Sequence, residues 1–195
     1  MDGSERFHEQ GRPVGLEGFD VLDLWRWSTS DLTMNTTRGV LAEYIVARAL
    51  GISTGGAREE WAVCDLTRAD GLRDEVKSPA YFQSWSQKEF SPIQFTVTKT
   101  LGWNADTGTS ETEPRCHADV YVLALLAHQD QATVDPLDLE QWRFCAVPAR
   151  DLDARTRSQH SITVNSLKAL AGEPVGFRDL AADDDRVACF ARRAS

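Results

Sequence analysis

Asp65, Glu75 and Lys77 lie within one short stretch, WAVCDLTRADGLRDEVK at residues 61–77, whose pattern would bring them together. Trp61, Val63 and Asp65 alternate with Ala62, Cys64 and Leu66, the period of a strand. Asp70-Gly71 supplies a turn in which positive φ is accessible, and the chain returns through Leu72 to Lys77. A β-hairpin over 61–77 is therefore expected. Strand side chains alternate between faces, so Glu75 and Lys77 point one way and Val76 the other, with Asp65 approaching from the neighbouring strand.

That platform suits phosphodiester hydrolysis. Two carboxylates can hold a hard divalent cation, and Mg²⁺ prefers oxygen ligands while keeping several waters. Mn²⁺ could take its place. The ion would stabilise charge on the phosphate and lower the pKa of a bound water. Lys77 would orient that water or neutralise the charge that develops on phosphorus. An E-x-K tripeptide also occurs on ordinary solvated strands, so the reading needs support from elsewhere in the chain.

The support comes from upstream. Residues 35–51, NTTRGVLAEYIVARALG, read as a helix capped by Asn35 or a following threonine and stopped by Gly51. Val40, Leu41, Tyr44, Ile45 and Ala47 give it a broad apolar face. Glu43 sits in the middle of that run. It is either an exposed residue of an amphipathic helix or a carboxylate aimed into a cleft beside the hairpin.

Ser78-Pro79 has the form of a helix start, and a helix to about residue 90 would carry Gln83. Residues 93–97 alternate as a half-buried strand. Residues 102–117 form a long polar loop, where Arg115 and His117 could contact phosphate. Residues 119–127, DVYVLALLA, read as a central strand buried on both faces. Residues 142–147 give a further strand and 148–154 a short helix. Arg155, Arg157 and His160 then make a modest basic cluster. A short strand at 161–164 leads to a helix capped by Asn165 and stopped by Gly172. A closing helix spans 177–191, with Asp183, Asp184 and Asp185 on its solvated surface. Near the N-terminus, residues 1–18 are polar and read as a mobile arm before a single domain over 19–195. The apolar residues of 19–32 would form a helix or wrap covering the core.

In the order Glu43, Asp65, Glu75, Lys77 the chain resembles the PD-(D/E)xK, or restriction-endonuclease-like, nucleases, with Cys64 standing where the eponymous proline would be. The stretches FDVLDLWRWSTSDL, NTTRGVLAEYIVARAL, EVKSPAYFQSW and ADVYVLALL are similar to a bacterial group bearing this signature. The resemblance implies an α/β fold, a three-layer sandwich with a central mixed β-sheet flanked by helices. It implies a Mg²⁺-dependent endonuclease acting on DNA, in which Asp65 and Glu75 ligate metal and Glu43 completes or supports the shell. Lys77 would serve the attacking water, and Gln83, with Ser78 beside it, would help orient the site. A homodimer would follow from the need for two cuts in a duplex. The rival reading is a non-catalytic nucleic-acid-binding or scaffolding subunit that needs a protein partner.

Composition sets bounds on both. The 195 residues, 42% hydrophobic, suffice for one domain with a sizeable core. No apolar run reaches the ~18 residues of a membrane span, and no signal-peptide pattern opens the chain. The four cysteines lack zinc spacing and read as reduced and mostly buried, which points to the cytoplasm. The net charge of −9, from 21 basic and 30 acidic residues, opposes tight non-specific DNA binding without a partner. No phosphate-binding G-x-x-x-x-G-K-[ST] loop is present.

Overall fold

The computed structural model describes residues 20–192, apart from 57, 59–61, 100, 102, 105–106, 115 and 156–159. The N-terminal arm expected at 1–18, Trp61, Arg115 and Arg157 therefore lie outside the described residues.

Strand β6 (Val120–Leu126) has every residue buried, as a run of apolar side chains without polar alternation demands. It pairs in parallel with β2 (Arg73–Lys77) and antiparallel with β7 (Trp142–Pro148), and β1 (Leu66–Thr67) adds an antiparallel edge. The result is a mixed four-stranded sheet in the order β1-β2-β6-β7, flanked by helices in an α/β fold.

The alternation of β6 divides the core in two. Val120, Val122, Ala124 and Leu126 pack with Val76, Phe144 and Ala146 against α2 (Asn35–Ala49) and α5 (Leu180–Arg192). Tyr121, Leu123 and Leu125 pack with Cys145 and Val147 on the opposite face. That face is covered by the strand pair β3 (Gln94–Thr96) and β8 (Ser161–Thr163) and by α3 (Ala149–Asp153) and α4 (Val164–Ala171). A small hairpin, β4 (Trp103–Asn104) with β5 (Thr109–Ser110), interrupts the loop expected at 102–117. None of the helices among the described residues is long and apolar enough to cross a membrane.

Several expectations need correction. Helix α1 (Val21–Thr29) forms, capped by Asp20 through a capping box, but it buries none of its residues, and Trp27 is 85% exposed. It does not cover the core. Residues 78–90 form no helix. Ala80 bridges Leu126 in parallel and the Leu126 amide donates to the Pro79 carbonyl, so the chain leaving β2 stays extended along β6. In α2 the buried positions are Arg38, Ala42, Ile45, Val46 and Ala47, whereas Val40 and Tyr44 are exposed. Met34, not Asn35, is its N-cap, and Gly51 at φ 69° ends it as expected. Thr163, not Asn165, caps α4. Of the cysteines, all free, Cys64 and Cys145 are buried, Cys116 is half-buried and Cys189 is exposed.

The aspartates of α5 also differ from a solvated surface. Leu180, Asp184, Val187 and Ala188 share the helical face that packs on the sheet, so Asp184 is fully buried. There it pairs with Arg68, whose guanidinium also grips Asp74 of β2 through Nε–Oδ2 at 2.8 Å and Nη2–Oδ1 at 2.6 Å. One arginine thus serves two buried carboxylates, leaving an excess negative charge. Burial raises the Asp184 pKa to about 7, against the opposing pull of Arg68 and with the charge of Asp74 adding to the shift. The folded chain therefore holds a proton that the unfolded chain releases at an ordinary carboxylate pKa of about 4. Between those values stability should fall as pH rises, by up to about 1.4 kcal/mol per pH unit. Urea unfolding across this range should give that slope for the wild type and a flatter one for Asp184→Asn; equal slopes would remove Asp184 as the cause.

Candidate functional site

The hairpin forms around the turn expected at Asp70-Gly71. The Arg68 amide donates to the Leu72 carbonyl, Asp70 Oδ1 accepts from the Leu72 amide, and Gly71 takes φ 86°, open to glycine at little cost. Its first strand is shorter than the alternation implied. Only Leu66 and Thr67 pair, opposite Asp74 and Arg73. At the next position Asp65 faces Glu75 in register, but the ladder stops there. The Val76 amide donates instead to Asp65 Oδ2 at 2.7 Å, so a side-chain carboxylate replaces a backbone carbonyl at the edge of β2.

Glu75 and Lys77 stand beside Tyr121 and Leu123 of β6 and share their face of the sheet, with Val76 turned to the helices. Lys77 Nζ donates to Glu75 Oε1. Together with Thr96, Thr98, His117 and Tyr121 they line a recess of about 110 Å³. Burial raises the Glu75 pKa above the usual carboxylate value; Lys77 opposes the shift, and the charges of Asp65 and Glu43 reinforce it. Glu75 thus lies within electrostatic reach of both other carboxylates.

Glu43 projects from α2 into a second, larger groove of about 360 Å³ that Asp65 and Cys64 also line. Its carboxylate is held by Arg58, with Nη2–Oε1 at 2.9 Å and Nε on the other oxygen. The four expected residues therefore occupy two adjoining recesses, and Asp65, with its carboxylate on the amide between Glu75 and Lys77, connects them. Arg58 was not legible in the sequence, because no spacing relates it to Glu43 and only the returning loop brings them together. Cys64, at the position of the motif proline, contacts Leu66 O and Thr67 Oγ1; burial raises its thiol pKa and opposes a nucleophilic role.

Arg38 is a second arginine without a sequence signal. It is buried, and it donates to Thr33 O at 2.7 Å, Asn35 Oδ1 at 2.6 Å and Ser78 O at 3.2 Å. It thereby ties the start of α2 to the end of β2, fixing Glu43 relative to the hairpin. Ser78 contributes through its carbonyl, while its hydroxyl is buried with no hydrogen-bond partner among the described residues. Gln83 does not orient the site from a helix. Its side-chain amide donates to Ala80 O and Ser91 Oγ, both at 3.2 Å, and so braces an irregular loop. His117 is buried on the wall of the Glu75–Lys77 recess, its Nε2 3.7 Å from Glu111 Oε2.

Among the described residues no group of three or more His, Cys, Asp or Glu side chains is gathered to hold a metal ion. Asp65 and Glu75 nevertheless offer hard oxygen donors of the kind Mg²⁺ takes, and that ion is commonly bound by one or two carboxylates with waters completing its shell. The donor chemistry fits such an ion at these two residues, with Glu43 engaged by Arg58 beside them. No protein-family model and no curated protein matches this chain.

Asp65 has a structural role separable from its charge. Asp65→Ala leaves the Val76 amide without its acceptor and should cost about 1–3 kcal/mol. Asp65→Asn keeps an acceptor oxygen and should unfold close to the wild-type denaturant midpoint. Equal destabilisation by both variants would show that the amide contact is not what Asp65 supplies to the fold.

Proposed function

We propose that this chain is a metal-dependent nuclease that hydrolyses phosphodiester bonds, in DNA, and that its mixed α/β fold is of the restriction-endonuclease-like kind. The observation that carries the reading is the hairpin register. It sets Asp65 against the β2 edge at Val76, between Glu75 and Lys77, with the Glu43-bearing helix packed alongside. A glutamate-bearing helix, then an aspartate, then a strand carrying E-x-K is the order that the PD-(D/E)xK resemblance implies.

In this reading Asp65 and Glu75 hold a Mg²⁺ or Mn²⁺ ion, which when bound stabilises phosphate charge and acidifies a coordinated water. Lys77, held on Glu75, directs an N–H toward the attacking water or the phosphate oxygen. Glu43, fixed by Arg58, supports the shell from the helix side. The raised Glu75 pKa fits a carboxylate buried beside like charges, the environment in which a bound cation gains most. The overall charge of −9 means that affinity for DNA comes from the cation and from local contacts or a protein partner. The engagement of both Glu43 oxygens by Arg58 favours a second reading, a non-catalytic nucleic-acid-binding or scaffolding subunit that needs a protein partner.

Cleavage of supercoiled plasmid and labelled single strands in Mg²⁺ or Mn²⁺ separates the two. The wild type should cut only with metal. Lys77→Ala should lose about 10²–10³-fold in rate, the usual cost of removing one positioned donor, while its Mn²⁺ affinity by calorimetry stays unchanged. Equal cutting by both proteins removes Lys77 from the mechanism, and absence of Mn²⁺ binding by the wild type favours the non-catalytic subunit.

A further inference from the structure

Helix α2 presents Val40, Glu43, Tyr44 and Ala47 along one face, the i, i+3, i+4, i+7 spacing of a helical stripe, and all four line the larger groove. Ala47 is buried at its floor, yet Val40 and Tyr44 are 43% and 51% exposed. With Ile52 they make an apolar wall. Glu43 lies in the same helical stripe, and Arg58, which holds it, and Asp65 line the groove with it.

We infer that this groove seats one nucleotide unit of a single strand next to the bond to be cut, with its base stacked on Tyr44; the inference rests on the nuclease reading above. Three features argue for that occupant. A cleft that sets exposed apolar side chains beside charged ones complements a nucleotide, whose base is a flat π surface and whose sugar–phosphate is polar. The volume of about 360 Å³ falls at the lower end of small-ligand clefts, roughly 300–1,000 Å³. The charges also match: Glu43, Asp65 and Glu75 against Arg58 and Lys77 leave −1, and one divalent cation turns this to +1, opposite in sign to a phosphodiester. A base resting on Tyr44 has left its own duplex stack, so the groove selects single strands and frayed ends over continuous duplex.

The test is binding of a 2-aminopurine-labelled single-stranded oligonucleotide to the full chain in Ca²⁺, followed by anisotropy and by quenching of the base emission. The wild type should bind the single strand more tightly than the same sequence as duplex. Tyr44→Ala should weaken binding by about 5- to 150-fold, the range for loss of one stacking platform, and relieve the quenching. Tyr44→Phe should bind at wild-type strength. Tyr44 is exposed, so neither variant should unfold, and circular dichroism checks this. Undiminished binding by Tyr44→Ala overturns the inference, as does an equal loss in Tyr44→Phe or a wild type that prefers duplex. Metal-dependent plasmid cleavage that Lys77→Ala still abolishes would, in each of those cases, leave the nuclease reading standing.

Discussion

Strand β6 must be buried on both faces, and the positions of the candidate site follow from that demand. An apolar run from Val120 to Leu126 cannot turn either side to water, so layers assemble on each face of it. Parallel pairing with β2 then decides where chemistry can lie. Val76 joins the helix-side core, and Glu75 and Lys77 turn to the opposite face at the level of Tyr121 and Leu123. Charged side chains survive there because the covering layer leaves a polar recess walled by Thr96, Thr98 and His117.

Two arginines, Arg38 buried and Arg68 half-buried, join the site-bearing hairpin to the helices. Arg68 links Asp74 of β2 to Asp184 of α5, and Arg38 links the start of α2 to Ser78 at the end of β2. Each guanidinium presents several donors in a rigid plane, so it can fix two or three segments at once where a lysine could not. Burial makes these contacts demanding: among the described residues Arg38 has neutral oxygen partners alone, and its pKa is lowered by desolvation. The strong coupling of α2 and α5 to the edge of the sheet is what holds Glu43 near Asp65 even though no covalent neighbour relates them.

The groove between α2 and the hairpin carries a related consequence. Packing uses the stripe Ala42, Ile45, Val46 of α2, and the adjacent stripe Val40, Tyr44 is left open beside three charged groups. A helix with an apolar stripe wider than its core contact exposes hydrophobic surface, and here that surface borders the carboxylates.

Much of the architecture was legible in local pattern. The hairpin turn, the helix over 35–49, the central strand, the strand at 142–148 and the short helix after it follow from periodicity and from Gly51, Gly71 and Gly172, each at positive φ. The alternation of Glu75, Val76 and Lys77 placed them on opposite faces correctly. Other features depend on contacts between distant segments, which no local pattern encodes. The Ser78-Pro79 signal suggested a helix, but a parallel bridge to Leu126 kept the chain extended. The apolar residues of α1 suggested burial, but no neighbouring element covers them among the described residues. Three consecutive aspartates suggested solvent, but the packing phase of α5 turned the middle one to Arg68. The residue types of the candidate site, and the shared face of Glu75 and Lys77, were thus set by the sequence alone, through the period of two along β2. The tertiary structure alone decided that Arg58 holds Glu43 and that Asp65 joins two recesses, because hydrogen bonds between side chains far apart in the chain exist only once the layers have packed.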